Sequence, residues 1–511
     1  MTPLRLLQAW FGLLLILAQS SLAEAQVALP NVRLPNLTGN GLGLPLNVDR
    51  TLTGLSNDLD PRQLEDLRRL RILDLIRKNP KEIEADPHGA PIVRGEVVAF
   101  APADETLERV RAAGFTVLRE RVLEGLDARL VVLGVPDGVA TRRALQELRG
   151  LDPRGEYDFN HIYTDSGEIG AAAGAPVGGG VGAAAATRAG GGEVGTVVAA
   201  HAGSDAGAAG ALATKVGLID GGVDVSHAVF HDIVIHQHGC SGTTVPAAHG
   251  TAVASLMIGR SPRFNGAAPG SELFAADVYC GLSTGGAVDA VAEAFSWLVH
   301  EHVAVINVSL VGPANVMLEN VVRLVVARGH VVVAAVGNDG PAAPPLYPAS
   351  YPDVVGVTAV DARRRVLLEA CRGRQVKLSA PGADMSAANA AQGFALVRGT
   401  SFAAPIVAGL LAEEIRAPDP EAARHAVSDL EGRAIDLGAP GLDPVYGFGL
   451  VGGDLHPEVA LAREGGGARD AGGAHEAGGA HEIGAPRDAG EARDGGAGAG
   501  DSAAAQGAPR H

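Results

Sequence analysis

With 511 residues, 47% of them apolar and 19% charged, the chain is long enough for two to four domains and can bury a sizeable core, which excludes wholesale disorder. Its formal net charge is −17 and no basic block stands out, so a nucleic-acid backbone is excluded as a partner. Three cysteines exclude both a disulfide-dense scaffold and a four-cysteine zinc site.

In chain order, Arg5, the apolar run Leu6 to Ala18 and Ala23-Glu24-Ala25 form a positive start, a short apolar core and a small-residue cleavage site. They predict a signal peptide over residues 1–25, with an uncleaved membrane anchor as the alternative. No later apolar stretch reaches the ~18 residues of a spanning helix without polar or glycine interruption. The mature chain is therefore expected to be secreted or periplasmic, with no membrane contact after signal removal. Residues 26–93 are a Leu/Pro-rich lead ending in a helix that starts at Asp60-Pro61. There Leu64, Leu67, Leu70, Leu73 and Ile76 are read as one docking face.

Residues 94–165 change to a small α/β pattern. Strands are predicted at Glu96 to Phe100, Phe115 to Leu118, Ala128 to Leu133 and Tyr157 to Tyr163, and helices at Thr106 to Ala113 and Val139 to Leu148. Two βαβ-like halves predict a ferredoxin-like sandwich, marginally stable alone at ~70 residues. A Gly/Ala-rich linker is expected over residues 166–212. Residues 213–455 alternate apolar strands with helical patterns. That predicts an α/β domain, a mostly parallel sheet with helices on both faces. Its buried strands are read at Val216 to Ile219, Glu272 to Val278, Val303 to Val308, Val331 to Val336 and Val354 to Thr358. Residues 456–511 repeat Gly, Ala, His, Asp and Arg, as in the Ala-Gly-Gly-Ala-His-Glu units around His475 and His481. They are read as a low-complexity, disordered tail.

Three segments of the α/β region end or begin an element on a reactive side chain. The strand Val216 to Ile219 runs into Asp220, at the carboxyl end where open α/β sheets gather their ligands. His249 opens the apolar run His249 to Leu256. Ser401 opens another in Gly399 to Pro405, where a helix start offers unpaired backbone N–H groups. Each alone is an ordinary turn, structural or capping residue. Their order, Asp then His then Ser, is one of the three known orders of the hydrolytic triad.

With these residues the sequence resembles the subtilisin-like serine peptidases, the subtilases. The blocks His249 to Ser255 and Gly399 to Gly409 carry the resemblance. Val331 to Asn338, Val305 to Leu310, Tyr347 to Val355, Ser379 to Gly382 and Tyr446 to Gly449 extend it over about residues 213–453. The preceding unit, ending Asn160-His161-Ile162-Tyr163, is similar to the family's inhibitory propeptides. The resemblance implies a subtilisin-like fold and a serine endopeptidase that acts on protein or peptide substrates, has its own propeptide as a partner, and is a monomer. Ser401 would be the nucleophile and His249 its general base. Asp220 would orient the imidazole, and Asn338 with the Ser401 backbone N–H would hold the oxyanion, where losing one donor costs ~10²–10³ in turnover. Ser309, Leu310, Val311, Gly337 and Leu346 fall on the substrate-binding segments.

Three departures from the family pattern stand out. Gly221 replaces a hydroxyl-bearing residue after Asp220, Val311 stands where glycine is common, and Leu346 replaces a small residue before Tyr347. The last two predict a shallow pocket and a preference for Ala, Val or Ser before the scissile bond. Cys240 and Cys280 flank the His segment and in an exported chain are read as a disulfide, closing a loop of ~40 residues. Three free thiols, counting Cys371, are the alternative. His236, His238 and Cys240 have metal-ligand side chains but no fourth partner at a recognisable spacing, so no cofactor is expected; no calcium-loop signature appears, and calcium sites are left open. The competing reading of the whole is a catalytically inactive subtilase-fold binding or surface protein.

Overall fold

In the computed structural model the described residues are 61–169, 214–262, 264–390 and 393–455. The signal peptide, most of the lead, most of the linker and the tail expected from the sequence lie outside them. Helix α1 (Pro61–Lys78) begins on proline and ends on Arg77 and Lys78, which suit a helix start and the negative end of its dipole. The expected face is corrected at Leu70 and Leu73, which are 49% and 58% exposed, while Ile76 is half-buried as expected and the side chains of Leu64 and Leu67 lie outside the description. The half-buried side instead carries Arg68, Ile72, Leu75 and Ile76. A strict three-residue repeat falls back by ~60° per step on a helix of 3.6 residues per turn, so a stripe spaced by threes leaves its face within two steps.

The small unit is formed by β1 (Ile83–Ala85), β2 (Pro91–Phe100), α2 (Asp104–Ala112), β3 (Thr116–Leu123), β4 (Ala128–Gly134), α3 (Thr141–Leu151) and β5 (Glu156–Asp165). Its antiparallel sheet runs β5-β2-β4-β3 with β1 added on β2, the strand order of a β-α-β-β-α-β sandwich. It begins before residue 94, because β2 starts at Pro91 and β1 joins it. Alternation along the strands splits the sheet's side chains between two cores. Val97, Ala99, Val131 and Leu133 face α2 and α3. Val98, Leu130 and Val132 join Val291, Phe295 and Leu298 of the larger layer. Both faces are thus dry, which explains why these strands read as nearly unbroken apolar runs.

Chain order continues with β6 (Gly167–Ile169), β7 (Lys215–Asp220), β8 (Ile235–Gly239), α4 (Ala248–Ile258), β9 (Arg260–Ser261), β10 (Phe264–Asn265), β11 (Glu272–Asp277), β12 (Gly286–Ala287), α5 (Val288–His300), β13 (Val305–Val308), β14 (Leu310–Val311), α6 (Val316–Ala327), β15 (Val331–Ala335), β16 (Val355–Val360), β17 (Val376–Pro381), β18 (Met385–Ala388), β19 (Phe394–Gly399), α7 (Thr400–Glu414) and α8 (Pro420–Gly432). The main sheet is parallel throughout, in the order β17-β16-β15-β13-β7-β11-β8. One face packs on α4 and α7, the other on α5 and α6. A mostly parallel sheet covered on both faces is the architecture expected from the alternating pattern. The edge strand β8, Ile-His-Gln-His-Gly, is half-buried along its whole length and carries too little apolar signal to be read as a sheet member. Among the described residues no helix is long and apolar enough to cross a membrane.

Candidate active site

The central strand β7 ends on Asp220, fully buried, and α4 starts one residue before His249. Both Asp220 carboxylate oxygens lie 2.9 Å from His249 Nδ1, so the ring donates from Nδ1, and only its neutral form leaves Nε2 as an acceptor. Burial disfavours a charged ring, yet the Asp220 charge and hydrogen bond outweigh it, with Asp165 adding to them, and hold the His249 pKa at about 9. Gly221 donates its backbone N–H to Asp220 at 2.7 Å. A Cβ at Gly221 would stand 2.8 Å from that of Ala247, so the position has no room for the hydroxyl-bearing side chain the family pattern suggests. The backbone supplies the bond instead.

Ser401 is the second residue of α7. Its carbonyl accepts from Ser309 Oγ at 2.9 Å, and Ser309 in turn accepts from Asn307 Nδ2 at 2.9 Å. Ser309 therefore braces the start of α7 from behind rather than lining the cleft with its side chain. Thr400, which the sequence reading passed over, accepts from the Gly337 N–H at 3.1 Å and donates its own N–H to Asn338 Oδ1 at 3.1 Å. With Oδ1 occupied, the Asn338 amide turns Nδ2 toward the cleft. The expected Ser401–His249 hydrogen bond is not formed. Ser401 Oγ pairs with Ser166 Oγ at 2.8 Å, and His249 Nε2 is buried with no partner among the described residues. Phe402, next to the serine, packs on the His249 ring at 5.3 Å between centroids. Competition from the Ser166 hydroxyl is the physical reason for the open link.

The end of the small unit runs through this cleft as an extended strand. Ile162 and Tyr163 pair with Ala287 and Gly286 of β12, and Thr164 and Asp165 pair with Val311 and Leu310 of β14. Beyond Ser166, Gly167, Glu168 and Ile169 pair with Gly399, Arg398 and Val397 of β19. All these pairings are antiparallel. The point where a Cβ on Gly399 would sit is 2.7 Å from Asn338 Nδ2, 2.9 Å from the Ser166 carbonyl oxygen and 2.9 Å from Gly167 Cα. The peptide bond between Ser166 and Gly167 thus lies at the amide and hydroxyl of the site. The linker expected from residue 166 begins later than the sequence suggests, because β6 continues to Ile169.

Leu346 is 1% exposed and reaches the position a Cβ on Gly337 would take, with Cys371 Sγ 3.2 Å from the same point. Val311 pairs with Thr164, two residues before Ser166. Away from the cleft, Asp158 accepts from the Val316 N–H at the start of α6 at 2.9 Å. Arg119 donates to Glu96 and, at 3.1 Å, to Asp289, and Arg121 also reaches Asp289 at 3.2 Å. Burial alone would raise the Asp289 carboxyl, but the two guanidinium charges hold it below the usual carboxylate range. From α1, Arg68 Nε lies 2.9 Å from Asp339, one residue past Asn338.

Cys240 and Cys280 are bonded, with Cα atoms 5.1 Å apart, and Cys371 is free and buried. Asp277 lies among the two bonded sulfurs, which as a disulfide offer no thiolate to a metal. It accepts instead from the backbone N–H groups of Val245, Tyr279 and Cys280. His236 stacks on Phe274 and bonds Glu272 at 2.7 Å, while His238 stacks on Trp297. Both histidines are committed to the sheet edge.

Comparison with known proteins matches residues 212–449 to the profile of the Subtilase family, Peptidase S8. Subtilisin DY of Bacillus licheniformis is 31% identical over 245 residues, 46% of this chain and 88% of that protein. The minor extracellular protease Epr of Bacillus subtilis is 26% identical over 246 residues, 46% of this chain but only 37% of Epr. Fervidolysin from Fervidobacterium pennivorans, described as a keratinolytic enzyme related to subtilisin, shares the fold with a TM-score of 0.54 at 19% identity, covering 73% of this chain and 62% of its own.

Proposed function

The chain belongs to the subtilase family, whose members are serine-type endopeptidases, and from that premise we propose that it is an exported serine endopeptidase made as a self-processing zymogen. Its first substrate is its own bond between Ser166 and Gly167. Ser401 turns about χ1 from Ser166 to His249, whose Nε2 takes the hydroxyl proton as Oγ attacks the Ser166 carbonyl carbon. Asp220 stabilises the imidazolium without accepting the proton. Asn338 Nδ2 and the Ser401 N–H hold the oxyanion. Collapse of the tetrahedral intermediate breaks the C–N bond, and His249 returns the proton to the departing Gly167 amine. Water then repeats the sequence on the acyl-enzyme and frees the Ser166 carboxylate.

The observation that carries this reading is the strand from Ile162 to Ile169, paired on three edges with its Ser166 carbonyl beside Asn338. Residues up to Ser166 then act as propeptide, and the pocket shallowed by Leu346 and Val311 takes a small residue before the bond. Expression of the wild type should yield a mature N-terminus at Gly167, whereas Ser401→Ala should remain one uncut chain. A pure Ser401→Ala preparation that is cut at the same bond would overturn self-processing. A wild type that a fluorophosphonate fails to label would favour an inactive binding protein.

A further inference from the structure

The backbone on either side of Ser166 is fixed by strand pairing. Asp165 pairs with Leu310 of β14, and Gly167 pairs with Gly399 of β19. Rotation about χ1 is the freedom left to Ser166, and its hydroxyl meets Ser401 Oγ at 2.8 Å. The nucleophile is enclosed around this contact, since Ser401 and His249 are both buried. A Cβ on Gly167 would stand 3.1 Å from Ser401 Oγ and 2.5 Å from ring atom Cε2 of Phe402. Phe402 in turn packs on the His249 ring at 5.3 Å between centroids. Within this enclosure the Ser166 hydroxyl is a rival to His249 Nε2, which stays buried without a partner among the described residues. Attack on the Ser166 carbonyl needs the Ser401 proton on Nε2, so Ser401 must turn away from Ser166 first. Whichever oxygen donates, that rotation gives the hydrogen bond up. An interaction present before attack and absent during it stabilises only the ground state, which slows the step. For one neutral hydrogen bond the effect is about 2- to 10-fold.

Resting on the endopeptidase reading above, we propose that the Ser166 hydroxyl is a brake on the chain's own processing, holding Ser401 off His249 until the nucleophile rotates. Ser166 is then a positioning residue that acts through Ser401, and it lengthens the interval in which the folded chain is uncut. Alanine has the same shape without the hydroxyl, so it fills the same space and releases the brake. The rule carries over to other substrates of the processed enzyme. A hydroxyl on the residue before the scissile bond captures the nucleophile in the bound complex. Segments ending in Ala or Val therefore turn over faster than the same segments ending in Ser or Thr.

The test compares full-length wild type with Ser166→Ala, Ser166→Thr and Ser166→Val. Each uncut chain is folded well below the His249 pKa of about 9, where the base is protonated and idle. Raising the pH to about 9 starts the cut, which mass spectrometry then times. Ala should be cut about 2- to 10-fold faster than Ser, and Val faster than Thr by a similar factor. Taking the ratio within each isosteric pair cancels the effect of size. With the processed wild-type enzyme, the peptide Tyr-Thr-Asp-Ser-Gly-Glu should show both a lower kcat and a lower KM than Tyr-Thr-Asp-Ala-Gly-Glu, the mark of a contact made only before attack. A ratio at or below one in either pair, or equal kcat and KM for the two peptides, overturns the brake and leaves the peptidase standing. Four chains that all stay uncut and resist fluorophosphonate overturn both.

Discussion

His249 faces two carboxylates in the uncut chain, Asp220 by direct hydrogen bonds and Asp165 through its charge. A general base works only when unprotonated, so with a pKa of about 9 self-cleavage should accelerate as pH rises toward that value and flatten above it. Asp165→Asn removes a negative charge that favours imidazolium, which lowers the His249 pKa and moves the acid limb of the pH–rate profile to lower pH. Single-turnover processing rates across pH check this, and a limb that stays in place or moves upward would count against the assignment. Gly221 shows how a departure from the family pattern resolves at this scale. Asp220 keeps a donor through the Gly221 N–H, because Ala247 leaves no volume for a side chain.

At the scale of elements, α1 reaches the site through Arg68, whose Nε lies 2.9 Å from Asp339. Asp339 is buried, which raises its carboxyl, and Arg68 and Arg71 oppose that rise. Removing a partner from a buried pair costs more than removing an exposed leucine. In the uncut Ser401→Ala background, Arg68→Ala should lower unfolding free energy by about 1–3 kcal/mol, while Leu70→Ala and Leu73→Ala stay within ~0.5 kcal/mol. Denaturant unfolding of the three variants decides it, and equal losses would restore the leucine face as the docked one. The sequence was legible for strands buried on both sides, such as Val331 to Ala335, and for helices α4 and α7, whose apolar runs announce them. It was not legible for β8 or for the face of α1. The first hides polar side chains on a sheet edge, and the second depends on which neighbour the helix meets.

Over the whole molecule, the small sheet is clamped between its own helices and α5 and α6, with Arg119 and Arg121 bridging to Asp289 across the junction. Cutting one peptide bond leaves this contact in place, so cleavage and activity should be separate events. The double variant Arg119→Ala, Arg121→Ala should still cut after Ser166 but shorten the lag before peptide hydrolysis about tenfold or more, since Asp289 is then buried without its cations. A mass-spectrometric time course run beside a peptide assay would expose the idea as wrong if the lag were unchanged. Asp220, His249, Ser401 and Asn338 stand out as candidates in the sequence because each stands near the end of a strongly patterned strand or helix. What only the folded chain decided is how residues 162–169 lie. They are held by backbone hydrogen bonds to strands far away in sequence, and backbone bonds leave no mark on side-chain composition. The same holds for Ser166 taking the Ser401 hydroxyl away from His249, a competition that exists only once the distant segments meet.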